Sequence, residues 1–190
     1  IVDRALRRLG QEVVRYGGRV DKYIGDNVMA VFGAPVSHED DPERAVSAGL
    51  DIIDGIQAYR ERQRADRGLD LNVRVGINTG PVVVGQVGSD LRLEYTAMGD
   101  AVNVAARLEQ AAAPGEILLG ESTYGLVKDA VEVTPVEPLD LKGKAEPVAV
   151  CELTGTSGRT SRRQKRYELE IVGRQDELAA LAAALERTLE

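Results

Sequence analysis

Apolar side chains recur at Val2, Ala5, Leu6, Leu9, Val13 and Val14, a spacing that puts them on one stripe of a helix over residues 1–16. Gly17-Gly18 ends that helix. Residues 19–24 and 28–32 read as short strands, and the turn formers Gly25-Asp26-Asn27 between them predict a β-hairpin. A second helix opens at Asp40-Asp41-Pro42-Glu43, with Asp41 placed to cap it and Pro42 suited to its first turn. Ala45, Ala48, Ile52, Ile53, Ile56 and Tyr59 keep the helical period, and Gly68 closes it. Residues 71–77 alternate as a strand, Thr79-Gly80-Pro81 turns the chain, and 82–87 form the next strand. A third helix follows Gly99, with Asp100 as its cap, Ala101, Val104, Ala105 and Leu108 on its apolar face, and Pro114-Gly115 at its end. Residues 117–119, 131–136 and 148–153 read as strands and 121–127 as a short helix. The predicted order is α-β-β-α-β-β-α-β-α-β-β. Hairpins interleaved with helices point to an α+β fold, with helices packed on a largely antiparallel sheet.

Composition narrows the chemistry. The 190 residues hold 31 acids and 24 bases, a formal net charge of −7 that argues against a general nucleic-acid binder. Aromatics make up 4% with no Trp, so the core has to come from Val, Ile, Leu and Ala. One cysteine, Cys151, rules out an intrachain disulfide or a thiolate zinc site, and one histidine, His38, gives a Ser-His-Asp triad little support. No apolar run approaches ~18 residues, and no signal peptide is recognisable, so a cytoplasmic protein without a membrane segment is expected. Ile1 opens within an amphipathic pattern, which reads as a piece of a longer protein. The composition shifts after Leu153: residues 154–161 are rich in Gly, Ser and Thr, and Arg162, Arg163, Lys165 and Arg166 form a basic cluster. The division expected is a domain over 1–154, a linker over 155–169 and a new start over 170–190. Glu170-Ile171-Val172-Gly173-Arg174 and the Ala/Leu-rich stretch after it resemble the opening of AAA/STAND-like ATPase domains, although no phosphate-loop motif lies within these residues.

Two segments carry candidate chemistry. In the hairpin, Asp26 sits at a tight turn where a hard cation can reach its carboxylate, and Lys22 lies just before it; the plainer reading is that Asp and Gly simply form the turn. In the third helix, Asn103 and Arg107 are four residues apart and share one face near the positive end. A directed amide and a planar guanidinium suit an anionic ligand; the plainer reading is a solvated face with Arg107 paired to an acid. Gly80, Gly85 and Gly88 are a weak phosphate-loop signal because no helix follows directly. His38 reads as a surface loop residue and Cys151 as a small buried hydrophobe.

The string Val20-Asp21-Lys22-Tyr23-Ile24-Gly25-Asp26, followed by Val28-Met29-Ala30-Val31-Phe32-Gly33, closely resembles the class III adenylate/guanylate cyclase catalytic domain of bacterial type. So do Val73-Arg74-Val75-Gly76-Ile77-Asn78-Thr79-Gly80, residues 95–107, Pro114-Gly115-Glu116-Ile117 and Leu141-Lys142-Gly143-Lys144, in order from Ile1 to about Leu153. The resemblance implies a ferredoxin-like nucleotide cyclase fold and a phosphorus–oxygen lyase that turns ATP into 3′,5′-cyclic AMP and pyrophosphate in intracellular signalling. It implies two Mg²⁺ or Mn²⁺ ions, with Asp26 at the position of one metal aspartate. The other metal aspartate belongs to a strand preceding the opening helix, which would fall before Ile1; the 190-residue piece is therefore expected to be nearly inactive. Lys22 falls at the purine-selecting position and Thr96 at its partner, where Lys with Thr favours adenine. Asn103 matches the ribose-orienting residue and Arg107 the residue that stabilises charge on the α-phosphate. Lys144 falls where a side chain can reach the terminal phosphates. Sites in this family form between two catalytic domains, so a homodimer with two equivalent sites is implied. Two other readings stand beside it: a non-catalytic cyclase-homology module that binds nucleotide or only dimerises, and a palm-type cyclic-dinucleotide synthase. The first would be free to lose Lys22, Asp26, Asn103 and Arg107, and the second lacks its Gly-Gly-Asp/Glu-Glu-Phe signature here.

Overall fold

The computed structural model describes residues 2–89, 92–140 and 146–157, with the side chains of 86–96 left out of the description. The elements run α1 (Val2–Arg15), β1 (Arg19–Ile24), β2 (Asn27–Val31), α2 (Asp41–Arg67), β3 (Val75–Ile77), β4 (Val83–Ser89), β5 (Arg92–Met98), α3 (Asp100–Ala111), β6 (Ile117–Gly120), α4 (Glu121–Val127), β7 (Val131–Leu139) and β8 (Val148–Thr156). This is the α+β architecture expected. Among the described residues the strands form three hydrogen-bonded sets: β1–β2, β4–β5, and a sheet in the order β3-β6-β8-β7. β3 and β6 are parallel; the other pairs are antiparallel. The linker expected over 155–169 is corrected at its start, since β8 runs on to Thr156 and pairs with β7 there; the rest of it and the ATPase-like opening expected over 170–190 lie outside the described residues.

Alternation along β6 builds the core. Ile117 and Leu119 point to one face, where they meet Val46 of α2, Val127 of α4, and Cys151 and Leu153 of β8. Leu118 points to the other, against Val104 and Leu108 of α3 and Val150. A strand covered by helices on both faces is buried at every position, and β6 is. Cys151 takes its place in the first cluster as the small hydrophobe foreseen, and burial pushes its thiol pKa upward. β7 lies at the sheet edge, which is where Pro135 and Pro138 can be tolerated without loss of ladder bonds.

Several local expectations are corrected. β5 was not foreseen: it pairs with β4 in unbroken antiparallel register from Val83↔Met98 to Ser89↔Arg92. The strand expected over 71–77 is ordered as β only from Val75, where it meets Ile117 of β6. The first hairpin turns on two residues, Gly25-Asp26, because Asn27 already pairs with Ile24; Gly25 takes φ +64, the left-handed region that two-residue turns need. Neither Asp41 nor Asp100 caps a helix. Asp40 and Gly99 occupy the cap positions, and neither makes a side-chain capping bond. The Asp41 carboxylate instead accepts the His38 N–H at 2.5 Å and closes the preceding loop. Gly68 does end α2 as foreseen, donating its N–H to the Arg64 carbonyl at 3.0 Å. On α1 the apolar stripe is only partly used: Val13 is buried, whereas Val2 and Val14 are exposed.

The closest approach in the fold is that of α3 to β3. A Cβ at Gly76 would collide with the Ala105 carbonyl oxygen and the Glu109 nitrogen, both backbone, and would crowd Leu108 Cβ at 2.9 Å. Only glycine lets the helix lie this near the strand. Gly76→Ala is therefore expected to destabilise the fold by about 2 kcal/mol or more, the upper range for overpacking. Gly55→Ala on α2, where nothing lies within 4 Å, should instead stabilise by roughly 0.5 kcal/mol through helix propensity. Urea unfolding of both variants checks this; equal midpoints would show that α3 yields freely.

Candidate active site

β1 places Lys22 through an irregularity in its own pairing. Val20 pairs with Ala30 and Lys22 with Met29, so Asp21 is an extra residue on β1, a bulge. Facing pairs share a side of the ribbon, and Met29 and Ala30 point opposite ways. The bulge therefore sends Lys22 to the face opposite Val20. That assignment agrees with the packing on α1: a Cβ at Gly10 would meet Val20 Cγ2 at 3.3 Å and the Tyr23 hydroxyl at 2.7 Å, so Val20 and Tyr23 face the helix. Lys22 faces away from α1, with its side chain 30% exposed.

The bulged Asp21 side chain is fully buried. Its Oδ1 receives Arg19 Nη2 at 2.9 Å and the backbone N–H of Ala97 at 3.3 Å. Its Oδ2 lies 3.6 Å from Lys22 Nζ. One carboxylate thus joins the hairpin to β5 at Ala97, the residue after Thr96. At 3.6 Å the contact with Lys22 is coulombic rather than a hydrogen bond, so it does not consume the ammonium's donors. Asp26 stands exposed in the turn four residues on. It offers hard oxygen ligands, but among the described residues no group of three or more His, Cys, Asp or Glu assembles that could hold a metal. Any cation at Asp26 needs further oxygens from outside this set, such as those of a phosphate chain.

α3 follows β5 through Gly99 and carries Asn103 and Arg107 one turn apart, Asn103 exposed and Arg107 half-buried. Its first turn is pinned from below. Asn78, just past β3, donates its Nδ2–H to the Ala101 carbonyl at 3.2 Å. Thr79 on the same loop shares a hydroxyl bond at 3.0 Å with the fully buried Thr123 of α4. At the other end, Arg74 pairs with Glu109 at 3.3 Å. No ion pair of Arg107 is seen among the described residues.

Of the residues singled out beforehand, Lys22 and the backbone of Thr96 are brought to adjoining strands, and Asn103 and Arg107 share the helix that starts where β5 ends. Asp26 lies on the hairpin turn. The Thr96 side chain and Lys144 fall outside what is described. His38 is an exposed loop residue, as expected, with Nδ1 3.3 Å from Asp41. Asp21, Gly76 and Asn78 had been quoted only as parts of motifs. An acid flanked by two cations on a strand, and a Gly two residues before an Asn at a strand end, were the available signals for them.

Residues 8–154 match the family model described as the adenylate and guanylate cyclase catalytic domain. The chain is 34% identical over 145 residues to adenylate cyclase 1 of Rhizobium meliloti, covering 75% of this chain but only 22% of that protein. It is similar to the solved adenylyl cyclase CyaB from P. aeruginosa, with a TM-score of 0.80, 34% identity and coverage of 84% and 83% of the two chains. It is also similar to the guanylate cyclase domain of RhGC from Catenaria anguillulae in complex with GTP, with a TM-score of 0.74, 31% identity and 81% coverage of each chain. With most of its length matched by the family model, the chain belongs to the adenylate and guanylate cyclase catalytic domain family.

Proposed function

We propose that this chain is an adenylate cyclase catalytic domain that converts ATP to 3′,5′-cyclic AMP and pyrophosphate in a homodimer. The observation that carries the choice of base is Lys22, aimed away from α1 and set on the strand beside β5, which bears Thr96. An ammonium donates to N1 of adenine, an acceptor. Guanine N1 carries a hydrogen, which would leave the lysine facing a donor. The Thr96 hydroxyl can accept from the adenine amino group. Relatives named for either nucleotide share the fold, so the discrimination rests on these side chains.

In the reaction proposed, the ribose 3′-oxygen forms a bond to the α-phosphorus, loses its proton, and pyrophosphate leaves with the electrons of the broken P–O bond. Asn103 orients the ribose. Arg107 donates to the α-phosphate oxygens as charge builds there. Lys144 reaches the terminal phosphates. Asp26 and the substrate phosphates would hold two Mg²⁺ or Mn²⁺ ions, which supply charge neutralisation and an acidified hydroxyl. As Asp26 is the one metal aspartate of the family pattern identified in these 190 residues, the reading expects little turnover from them expressed alone. Support for a second copy comes from apolar side chains that one copy leaves uncovered: Tyr23 and Ile24 beside the turn of the first hairpin, and the facing pair Val83 and Met98 on the β4–β5 ribbon. In the full-length protein a downstream ATPase-like domain would follow.

Purified full-length protein supplied with ATP or GTP and Mn²⁺ should yield mainly cyclic AMP. A dominant cyclic GMP product would overturn the assignment of the base.

Asp26→Ala and Arg107→Ala should each remove most activity, the second by roughly 3 kcal/mol in barrier, or on the order of a hundredfold. If the two residues serve opposite sides of a shared site, a mixed dimer has one site with both defects and one with neither. Random pairing makes half the dimers mixed, so mixing the variants should recover about a quarter of the wild-type rate. Absence of recovery, with subunit exchange verified by differently tagged chains, would place both residues in one protomer.

A further inference from the structure

We infer that Asp21 is a positioning residue for base selection: its buried carboxylate holds Lys22 and the Thr96–Ala97 peptide in fixed relation. This rests on the reading of Lys22 and Thr96 given above. Three independent features converge on it. Asp21 is the bulged residue whose insertion turns Lys22 to the face away from α1. Its side chain has no exposure, and a buried carboxylate is retained only where its partners repay desolvation. Its partners are the residues that matter here: Arg19 as the close counter-ion, Lys22 at a longer coulombic distance, and the N–H of the peptide that joins Thr96 to Ala97.

The arrangement restrains without neutralising. Arg19, at 2.9 Å, takes the shorter contact, while Lys22, at 3.6 Å, is drawn toward Asp21 and keeps its donors for a base. The strand carrying Thr96 is registered against this carboxylate by a bond to its own backbone. Asp21 touches no substrate in this scheme. It sets the distance between the donor at Lys22 and the acceptor at Thr96, which is what separates adenine from guanine.

The test is nucleotide selectivity in the full-length protein. Asp21→Asn keeps shape and an acceptor for Ala97 but removes the charge that holds Lys22. The expected result is a fall of about tenfold in the ratio of kcat/KM for ATP over GTP, the scale of one charge-assisted hydrogen bond, read mainly in KM for ATP. In a Lys22→Ala background the same change should leave the remaining selectivity unaltered, because Asp21 acts through Lys22. A purely structural role would lower kcat for both nucleotides alike and act equally in both backgrounds; that outcome, or unchanged selectivity in Asp21→Asn, overturns the inference. If Lys22→Ala alone leaves selectivity unchanged, the base-recognition reading fails, and this inference with it. Should Asp21→Asn not fold, hydrogen exchange on the wild-type protein decides: the Ala97 amide must be protected, and exchange at the rate of a free peptide would overturn the proposal.

Discussion

The contact on which the rest depends is the one between two backbones. α3 lies so near β3 that position 76 has no room for a side chain, and the helix carrying Asn103 and Arg107 is thereby held close against the sheet. Interiors at native packing density transmit such a constraint rather than absorbing it. Leu108 and Val104 lock the helix from the core side, Asn78 holds its first turn, and Arg74 holds its last. In the role proposed for Arg107, a guanidinium gains little from charge alone if its helix can drift, since stabilisation of a transition state depends on donors already being in place. The sheet therefore serves the chemistry by fixing the height and rotation of one helix.

The side proposed to read the base is built by the opposite device. The β1–β2 hairpin and the β4–β5 ribbon are separate two-stranded sets among the described residues, with far less shared core than β6 has with its helices. Two-stranded ribbons are weakly self-supporting. Among the described residues one tie between them is polar: a buried carboxylate bonded to a backbone amide across the gap. Apolar packing tolerates sliding by small amounts, whereas a hydrogen bond of this kind has one register. If the site tells two purines apart as proposed, by the placement of one donor and one acceptor, it has reason to use the directional contact, even though burying a charge yields less net stability than burying a leucine.

The elements most legible in the sequence were those whose side chains pack. α2, α3 and β6 show their burial as periodicity, and Gly68 and Gly17-Gly18 mark helix ends for conformational reasons that act locally. β5 escaped in part because the end of the ribbon shows no alternation of burial: Val83 and Met98, facing each other there, are both exposed. Residues 95–107 were grouped instead by motif, which named the chemistry of Thr96 without revealing the strand. Asp41 and Asp100 were misread as caps because an acid near a helix start satisfies the rule in composition whether or not its oxygen reaches an N–H. In Asp41 the loop from Gly33 competes for that oxygen and wins.

The candidate site follows the same division. Lys22, Asp26, Asn103 and Arg107 were visible because family motifs preserve residue types at fixed spacing. The bulge that aims Lys22 was not, because a one-residue slip changes no residue type and leaves the alternation of Val20, Lys22 and Ile24 looking regular. Yet that slip decides which face the lysine occupies, since side-chain period in a strand is two and a shift of one inverts it. Motif spacing along the chain thus underdetermines the site. The same Asp-Lys string in an unbulged hairpin would put the ammonium on the side of Val20, against α1 beside Gly10, and turn Tyr23 away from the helix.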